Sequence, residues 1–187
     1  MKKILFILMM LCIFGIGTLY AQVYNETPIF VEVSYSGLFP SSDSYDCTAH
    51  GIGVKFGKYI TPIVGIGVEY DGRNIYQYDD ESLSNIGLNL LVRPVQTPVI
   101  DVELSAGLHY GWYSWPSYAD DWGYDYGRDN TSYVCFKFSP ELQINLNSHK
   151  TFQFIVEPYY MYWNSCNETN FDSFNSFGVN AGFRFNF

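Results

Sequence analysis

The chain carries little positive charge. Its 187 residues include 10 Lys and Arg against 19 Asp and Glu, which gives a formal net charge of −9. An acidic chain repels phosphate and no basic stripe is present, so we expect no binding to nucleic acid. Charged residues make up only 16% of the chain, whereas hydrophobic residues reach 48%. This hydrophobic fraction excludes an intrinsically disordered chain.

Cysteines are also few. Of the four, Cys12 lies in the N-terminal segment, and Cys47, Cys135 and Cys166 follow it. Three is an odd number, too few for a disulfide scaffold, and the spacing does not suit a zinc site. One disulfide among the three remains open, and the sequence does not select a pair.

The N-terminus has the pattern of an export signal. Two lysines at Lys2 and Lys3 precede an uncharged apolar run at 4–19, and Ala21 supplies a small residue at the end. This pattern predicts a signal peptide at 1–21 and a single domain at 22–187. An uncleaved membrane anchor is the alternative, although the run is slightly short for a bilayer-crossing helix of about 20 residues.

After residue 22 the sequence lacks a long apolar run, a clear helical period and a repeat of 20 to 50 residues. Apolar and polar residues alternate instead with a period of two, which predicts strands. In the fifth strand, for example, Val102, Leu104 and Ala106 alternate with Glu103 and Ser105. The predicted strands lie at about 28–38, 48–58, 63–70, 84–93, 100–112, 134–146, 152–162 and 177–187.

The connections alternate in length. Three are short, at 59–62, 94–98 and 147–150, and four are long, at 39–46, 71–83, 114–131 and 164–173. Short turns at one end and long loops at the other are typical of an antiparallel up-and-down transmembrane barrel. We therefore predict an all-β fold with eight strands. Ten strands are the alternative, if the third long loop folds back as a hairpin.

The composition of the two strand faces predicts which one lies inside. The polar face is rich in Gly, Ser and Asn with spaced single charges, which suits the narrow interior of an eight-stranded barrel. The apolar face has aromatic residues at both ends, as in the girdles of a membrane barrel. These are Tyr35, Tyr70, Tyr110, Trp112 and Tyr162 toward the long loops, and Phe56, Phe152, Phe185 and Phe187 toward the short turns. A soluble secreted barrel or sandwich is the alternative.

The chain ends in Gly182-Phe183-Arg184-Phe185-Asn186-Phe187. With the export signal and the eight alternating segments, this ending makes residues 22–187 resemble the small outer-membrane β-barrel family, similar to OmpX and the barrel domain of OmpA. The resemblance implies a Gram-negative outer membrane, both termini in the periplasm, contact with lipid and lipopolysaccharide, and a monomer. It also implies that Phe183, Phe185 and Phe187 form a signal for the barrel-assembly machinery.

The predicted interior contains charges of both signs. They are Glu32, Lys55, Glu69, Arg93, Asp101, Glu103, His109, Lys137, Glu141, Glu157 and Arg184. Isolated charges in a narrow lumen would be costly, so mixed signs predict an internal network of salt bridges and water that fills the barrel. A narrow polar pathway is the alternative. Because acids outnumber bases, such a pathway would favour cations.

The predicted long loops are acidic and the short turns, with Lys58 and Lys150, are basic. The loop acids are Asp43, Asp46, Asp71, Asp79, Asp80, Glu81, Asp120, Asp121, Asp125, Asp129, Glu168 and Asp172, opposed by Arg73 and Arg128. In the third loop, Asp121, Asp125 and Asp129 alternate with glycines, as oxygen ligands for Ca²⁺ would. A plain solvated acidic loop is the other interpretation. Trp115, Tyr118, Trp122, Tyr124 and Tyr126 in that loop are candidates for a recognition surface.

The sequence predicts no catalytic site and no cofactor. His109 and Ser105 share the inward face, His50 has lipid-side parity, and His149 lies in a short turn. No clustered pair of His with Ser or Asp is visible, so His109 is expected to fill the lumen. The predicted role is structural or adhesive at the cell surface. The alternatives are a small cation-selective pore and a lipid-modifying outer-membrane enzyme.

Overall fold

A computed structural model describes residues 28–40, 48–75, 81–114, 130–166 and 173–187. These residues form eight strands: β1 (Ile29–Pro40), β2 (Ala49–Tyr59), β3 (Val64–Ile75), β4 (Ser82–Gln96), β5 (Ile100–Ser114), β6 (Asn130–Asn145), β7 (Phe152–Ser165) and β8 (Phe174–Asn186). Each strand pairs with the next, and β8 pairs with β1. The predicted eight-stranded antiparallel barrel is therefore confirmed. The predicted signal peptide lies outside the described residues.

The closure between β1 and β8 leaves no open sheet edge. Glu32 on β1 faces Arg184 on β8 and Lys55 on β2, so the first strand has a partner on each side. A closed ladder satisfies the backbone hydrogen bonds of every strand, which a lipid environment requires. In the described part of the chain, no helix is long and apolar enough to cross a membrane.

The two faces of the barrel have opposite polarity. Leu88 and Ile52 on the outer face are 67% and 61% exposed, whereas Glu103 and Glu157 on the inner face are 0% exposed. Among the described strand residues, every Asp, Glu, Lys and Arg except Lys58 is buried. An apolar outside around a charged inside is the reverse of a water-soluble protein. The soluble barrel or sandwich alternative is therefore wrong.

Aromatic rings lie on the outer face near both ends, as predicted. Toward the long connections, the ring centroids of Tyr70 and Trp112 are 6.3 Å apart. Toward the short turns, those of Phe152 and Phe185 are 5.0 Å apart. These pairs flank the aliphatic middle of the outer face, where an apolar belt would meet the hydrocarbon core of a membrane.

Several strands extend further toward the long connections than predicted. β3 continues to Ile75, and the Asn74↔Ser82 pair still belongs to the β3–β4 ladder. β5 and β6 remain paired as far as Ser114↔Asn130. The outward residues here are polar, so the apolar alternation stops while backbone pairing continues. The predicted loop at 71–83 is therefore wrong at both of its ends.

The predicted short turn at 94–98 also begins too early. β4 runs through Pro94 to Gln96, with a register shift against β5 between Val92 and Val95. Proline has no backbone N–H to donate to the neighbouring strand. Because Pro94 lies at the register shift, where the ladder is interrupted, β4 continues past it.

Candidate functional site: the barrel interior

The charged side chains predicted for the interior all lie inside the barrel. Their exposed fractions are 4% for Arg93 and 2% or less for Glu32, Lys55, Glu69, Asp101, Glu103, His109, Lys137, Glu141, Glu157 and Arg184. Asp71 and Arg73, predicted for a long loop, join them because β3 is longer than predicted. Lys150, predicted to make a turn basic, is also buried. The inward face thus holds more charge than the sequence indicated.

Lys55 lies at the centre of three carboxylates. Its Nζ is 3.4 Å from Glu32 Oε1, 2.9 Å from Glu141 Oε2 and 3.2 Å from Glu157 Oε1. The three carboxylates each offer an oxygen within 4.8 Å of the others, a spacing that a metal ion would accept. The ammonium group of Lys55 already bonds to all three, so the arrangement is an ion-pair cluster rather than an empty cation site.

Arg184 binds three carboxylates from three strands. Nη2 is 2.8 Å from Glu32 Oε2 and 2.7 Å from Glu141 Oε1, and Nη1 is 3.0 Å from Glu103 Oε2. The guanidinium also lies 4.1 Å from the ring centroid of Phe30. A planar guanidinium with five donors suits several acceptors at once, which an ammonium group cannot match in geometry. Arg184 therefore joins β8 to β1, β5 and β6.

Lys137 completes the central cluster. Its Nζ donates to Glu69 and lies 3.2 Å from Glu157 Oε2. Glu157 also accepts hydrogen bonds from Ser139 Oγ at 2.6 Å and from Asn180 Nδ2 at 2.7 Å. The central network, as we call it, comprises Glu32, Lys55, Glu69, Glu103, Lys137, Glu141, Glu157 and Arg184. These side chains meet across the lumen and fill its middle.

Neutral donors offset the excess of acid in the central network, which has five glutamates and three cations. Tyr59 OH donates to Glu103, Asn89 Nδ2 to Glu69 at 2.8 Å, and Gln143 Nε2 to Glu141 at 2.8 Å. Removing ions from water costs several kcal/mol per ion, so such a cluster is stable only when its hydrogen bonds are complete. The network is therefore best treated as one cooperative unit.

An apolar cluster lies in the interior toward the long connections. This apolar cap consists of Leu38, Ala49, Ile75, Leu83, Tyr133, Cys135, Tyr159, Met161, Trp163 and Phe174, all buried. Trp163 stacks on Phe174 with ring centroids 5.4 Å apart, and Tyr133 packs edge-on against both rings. Trp163 Nε1 donates to Ser176 Oγ at 2.9 Å, which satisfies the one polar atom of the indole.

An ion pair outside the central network lies close to the apolar cap. Arg73 Nη2 is 2.9 Å from Asp71 Oδ2, and Arg73 Nε donates to Ser36 Oγ at 2.8 Å. The aromatic ring of Tyr159 lies near both Arg73 and Lys137, with centroid distances of 5.6 and 4.7 Å. Tyr159 therefore connects the cap to the central network.

The short-turn end has its own polar contacts. Lys150 Nζ is 2.7 Å from Asp101 Oδ1, so the turn lysine folds inward rather than facing solvent. Gln153 Nε2 donates to the other oxygen of Asp101 at 3.3 Å. The Arg93 guanidinium lies 4.0 Å from the ring centroid of Tyr59, and its Nη2 donates to the Pro62 carbonyl oxygen at 3.4 Å. Within the described residues, these contacts take the place of an acidic partner at salt-bridge distance.

His109 makes contacts that suit a structural role. Its Nδ1 is 2.9 Å from Asn85 Oδ1 and its Nε2 is 3.1 Å from Asn89 Oδ1. The Ser105 hydroxyl pairs with Ser139 at 2.6 Å rather than with the imidazole. His50 lies on the other face, where it stacks on Tyr35 with centroids 6.0 Å apart. Both ring nitrogens of His109 thus lie within hydrogen-bonding distance of amide side chains, and a neutral imidazole donates from one of the two.

No protein-family model matches the chain, and no curated protein matches it at a significant level. Solved structures do match. Neisserial surface protein A (NspA) superposes with a TM-score of 0.68 at 15% identity, covering 85% of this chain and 97% of that one. Ail, the attachment invasion locus protein of Yersinia pestis, gives 0.58 at 13%, covering 86% and 99%. The N-terminal β-barrel domain of Pseudomonas aeruginosa OprF gives 0.54 at 15%, covering 87% and 100%.

This chain has the fold of the small outer-membrane β-barrels. The likeness spans nearly the whole of each compared barrel, and the closed strand order agrees with it. The family resemblance predicted from the sequence is thereby confirmed at the level of fold.

In this outer-membrane-barrel fold, the three phenylalanines proposed as an assembly signal lie on the outer face of β8 and at the chain end. Phe183, Phe185 and Phe187 are 43%, 42% and 80% exposed. The ring of Phe152 stacks on Phe183 and Phe185, with centroid distances of 5.2 and 5.0 Å. They are therefore accessible from the side of the barrel, and their role in assembly stays a prediction.

Other predicted residues lie outside the described part of the chain. These are the recognition residues Trp115, Tyr118, Trp122, Tyr124 and Tyr126, the calcium candidates Asp121, Asp125 and Asp129, and Cys47. Cys135 and Cys166 are free thiols, the first buried in the cap and the second exposed. The roles given to the third long connection therefore stay predictions.

The sequence reasoning missed the apolar cap. Five of its ten residues lie within the predicted strands and on their inward face, namely Leu38, Ala49, Cys135, Tyr159 and Met161. The inward parity of the predicted strands was therefore sufficient to find these five. The other five lie beyond the ends of the predicted strands. Trp163 and Phe174 required the longer β7 and β8, where they face each other in register.

Proposed function

We propose that this protein is an integral outer-membrane protein whose barrel is a closed anchor and whose long connections bind a partner at the cell surface. The observation that carries the proposal is the filled interior. Lys55 and Arg184 hold carboxylates from several strands across the lumen, and the apolar cap lies above them. An anchor of this kind gives the surface segments a rigid frame.

The membrane location follows from the outer face. Apart from Asn74 and Asn164 toward the long connections, the exposed side chains of the described strands are apolar or aromatic, and Lys58 at the short-turn end is the one charged exception. The fold shared with outer-membrane barrels supports the same location. Export by a signal peptide at 1–21, cleaved after Ala21, belongs to this proposal.

Two of the similar structures have names that refer to the cell surface. NspA is a surface protein, and Ail is an attachment protein whose structure was determined with the heparin analogue sucrose octasulfate. For this chain we propose surface binding as well, but to a different ligand class. With Asp71 and Arg73 assigned to β3, the long connections contain eleven acids and one base, Arg128. Such loops repel sulfated polyanions, so the partner we expect is basic or neutral.

Aromatic side chains in the third long connection supply the binding energy in this proposal. Trp and Tyr are enriched among residues that dominate protein interfaces, because each buries a large area at low entropic cost. If Ca²⁺ binds at Asp121, Asp125 and Asp129, it would order the same segment.

The test is a replacement of Ser117–Arg128 by a Gly-Ser linker. A second variant keeps the length and changes Tyr118, Trp122, Tyr124 and Tyr126 to Ser. A matched control replaces the fourth long connection, residues 167–172, by a linker. Binding of bacteria displaying each variant to an array of basic, neutral and sulfated ligands is then measured, with the shift between unheated and boiled gel mobility as the check on folding.

We expect the first two variants to lose binding while the control retains it, and all three to keep the mobility shift. Binding that is unchanged in both third-connection variants would refute the adhesive role. A preference of the wild type for the sulfated ligands would refute the charge argument.

The enzyme alternative finds little support in the interior. His109 bonds to Asn85 and Asn89, and Ser105 bonds to Ser139, so neither is placed as a base or nucleophile. We expect the mass spectrum of lipid A to be the same with and without expression of the protein, and a new lipid A species would overturn this part of the proposal.

A further inference from the structure

Two adjoining apolar depressions lie on the outer face of the barrel, and together we call them the groove. Its upper part has a volume of about 440 Å³ and is lined by Val68, Ile86, Leu88, Leu108, Tyr110 and Val134. Its lower part, of about 150 Å³, is lined by Phe56, Lys58, Ile66, Val68 and Leu88. Val68 and Leu88 line both parts, so the two parts adjoin between Lys58 and Tyr110.

The strand register explains the groove. One row of paired residues runs across five strands and reads Phe56↔Val68↔Leu88↔Leu108↔Phe136. Shorter aliphatic side chains in the middle of the row thus lie between two aromatic side chains, which are 53% and 56% exposed. Successive outward rows are about 6.7 Å apart, and neighbouring strands about 4.8 Å. The stretch between the two phenylalanine rings is lined by aliphatic side chains alone.

Lys58 stands at the end of this groove. Among the described strand residues it is the one Asp, Glu, Lys or Arg that is not buried. It lies opposite Ile66 in the β2–β3 ladder, close to the short-turn end. Within the described residues, none of the salt bridges includes its ammonium group. A lysine at this depth extends its stem along apolar surface and places its charge at the level of lipid headgroups.

We propose that the groove binds one phospholipid of the leaflet at the short-turn side. An acyl chain lies along Ile66, Val68, Leu88 and Leu108, and the phosphate of the headgroup pairs with Lys58. The concave, aliphatic shape fits a flexible chain better than the convex wall of a second barrel, and the single cation matches a single phosphate. This inference depends on the membrane location proposed above and not on surface binding.

The experiment uses native mass spectrometry of the full protein, extracted in mild detergent and equilibrated with phosphatidylglycerol. Lys58→Gln removes the charge, and Lys58→Arg keeps it. Val68→Phe fills the middle of the groove. Val33→Phe is the matched control, because Val33 is an outward residue on β1, 46% exposed, and does not line the groove. The heat-dependent mobility shift verifies that each variant is folded and inserted.

We expect one retained lipid per wild-type, Val33→Phe and Lys58→Arg molecule. Lys58→Gln should reduce occupancy about five-fold, as ~1 kcal/mol per lysine at a membrane surface implies. Val68→Phe should reduce it at least as far, and inorganic phosphate should leave the lipid in place.

Three results would overturn the inference. The first is equal lipid retention in wild type and Lys58→Gln. The second is equal retention in the Val68→Phe and Val33→Phe variants. The third is a dimer that Val68→Phe dissociates, since the groove would then be an interface between copies. A variant that lost surface binding but retained its lipid would leave this inference intact, so the two proposals fail separately.

Discussion

Lys55 Nζ and Glu141 Oε2 lie 2.9 Å apart although 86 residues separate them in the chain. The two residues belong to β2 and β6, which occupy opposite positions in a ring of eight strands. Their ion pair therefore spans the lumen. The pair, with its partners in the central network, turns a hollow cylinder of strands into a filled one, and the predictions below follow from that filling.

Arg184→Gln should strongly destabilise the barrel. The substitution leaves Glu32, Glu103 and Glu141 buried without the guanidinium that binds all three. Breaking a buried ion pair from one side costs about 3–5 kcal/mol. Urea unfolding of the refolded protein in detergent micelles, followed by tryptophan fluorescence, measures the change.

The control for Arg184→Gln is Lys58→Gln, since Lys58 is the exposed lysine of the strands. We expect its free energy of unfolding to change by less than about 1 kcal/mol. Equal effects of the two substitutions would show that the central network does not stabilise the fold.

The wild-type protein should give no discrete channel openings in planar lipid bilayers. The central network and the apolar cap lie in the lumen at two different heights, and we expect both to obstruct the passage of ions. Trp163→Ala, which opens the cap alone, should also stay silent because the network remains. Regular, cation-selective conductance steps from the wild type would instead support the pore and contradict the closed anchor.

Trp163→Ala should destabilise the protein by about 3–5 kcal/mol, the usual cost of truncating a buried Trp or Phe. Trp163 is fully buried between Tyr133 and Phe174 and donates a hydrogen bond to Ser176. Trp112→Ala on the outer face is the matched control, since micelle or lipid can fill the space that it leaves. A larger loss of stability for Trp112→Ala would mean that the cap contributes little.

Gly182→Ala should impair barrel closure. A Cβ at Gly182 would lie 2.1 Å from the Val33 carbonyl oxygen and 2.5 Å from Ser34 Cα, both backbone atoms that cannot turn aside. Overpacking of this kind costs about 1–3 kcal/mol or more. The fraction that shows the unheated mobility shift after refolding should fall.

Gly37→Ala is the control for this substitution, because Gly37 lies in the same pair of strands. The nearest atom to a Cβ there would be the Val179 carbonyl oxygen at 3.7 Å, an ordinary contact. It should refold as the wild type does, and a similar defect in both variants would point to β-propensity rather than to the close approach at Gly182.

Part of the interior could be predicted from the sequence because side chains in a strand alternate between two faces. Once the apolar face is assigned to lipid, Glu32, Lys55 and Glu157 must point inward, and they do. The same reasoning failed for Asp71 and Arg73, because the end of β3 was set at the last outward apolar residue. Backbone pairing with β2 and β4 continues beyond that point, and nothing in the local pattern signals it.

The sequence by itself predicted eight strands, their up-and-down order and the face that most strand side chains occupy, because these depend on local alternation and on the lengths of the connections. Only the tertiary structure decided which carboxylate meets which cation, that Lys150 folds into the mouth of the barrel, and that an apolar cap lies toward the opposite end. Those contacts depend on the register of all eight strands around a closed ring, and a register set by closure cannot be derived from any one segment.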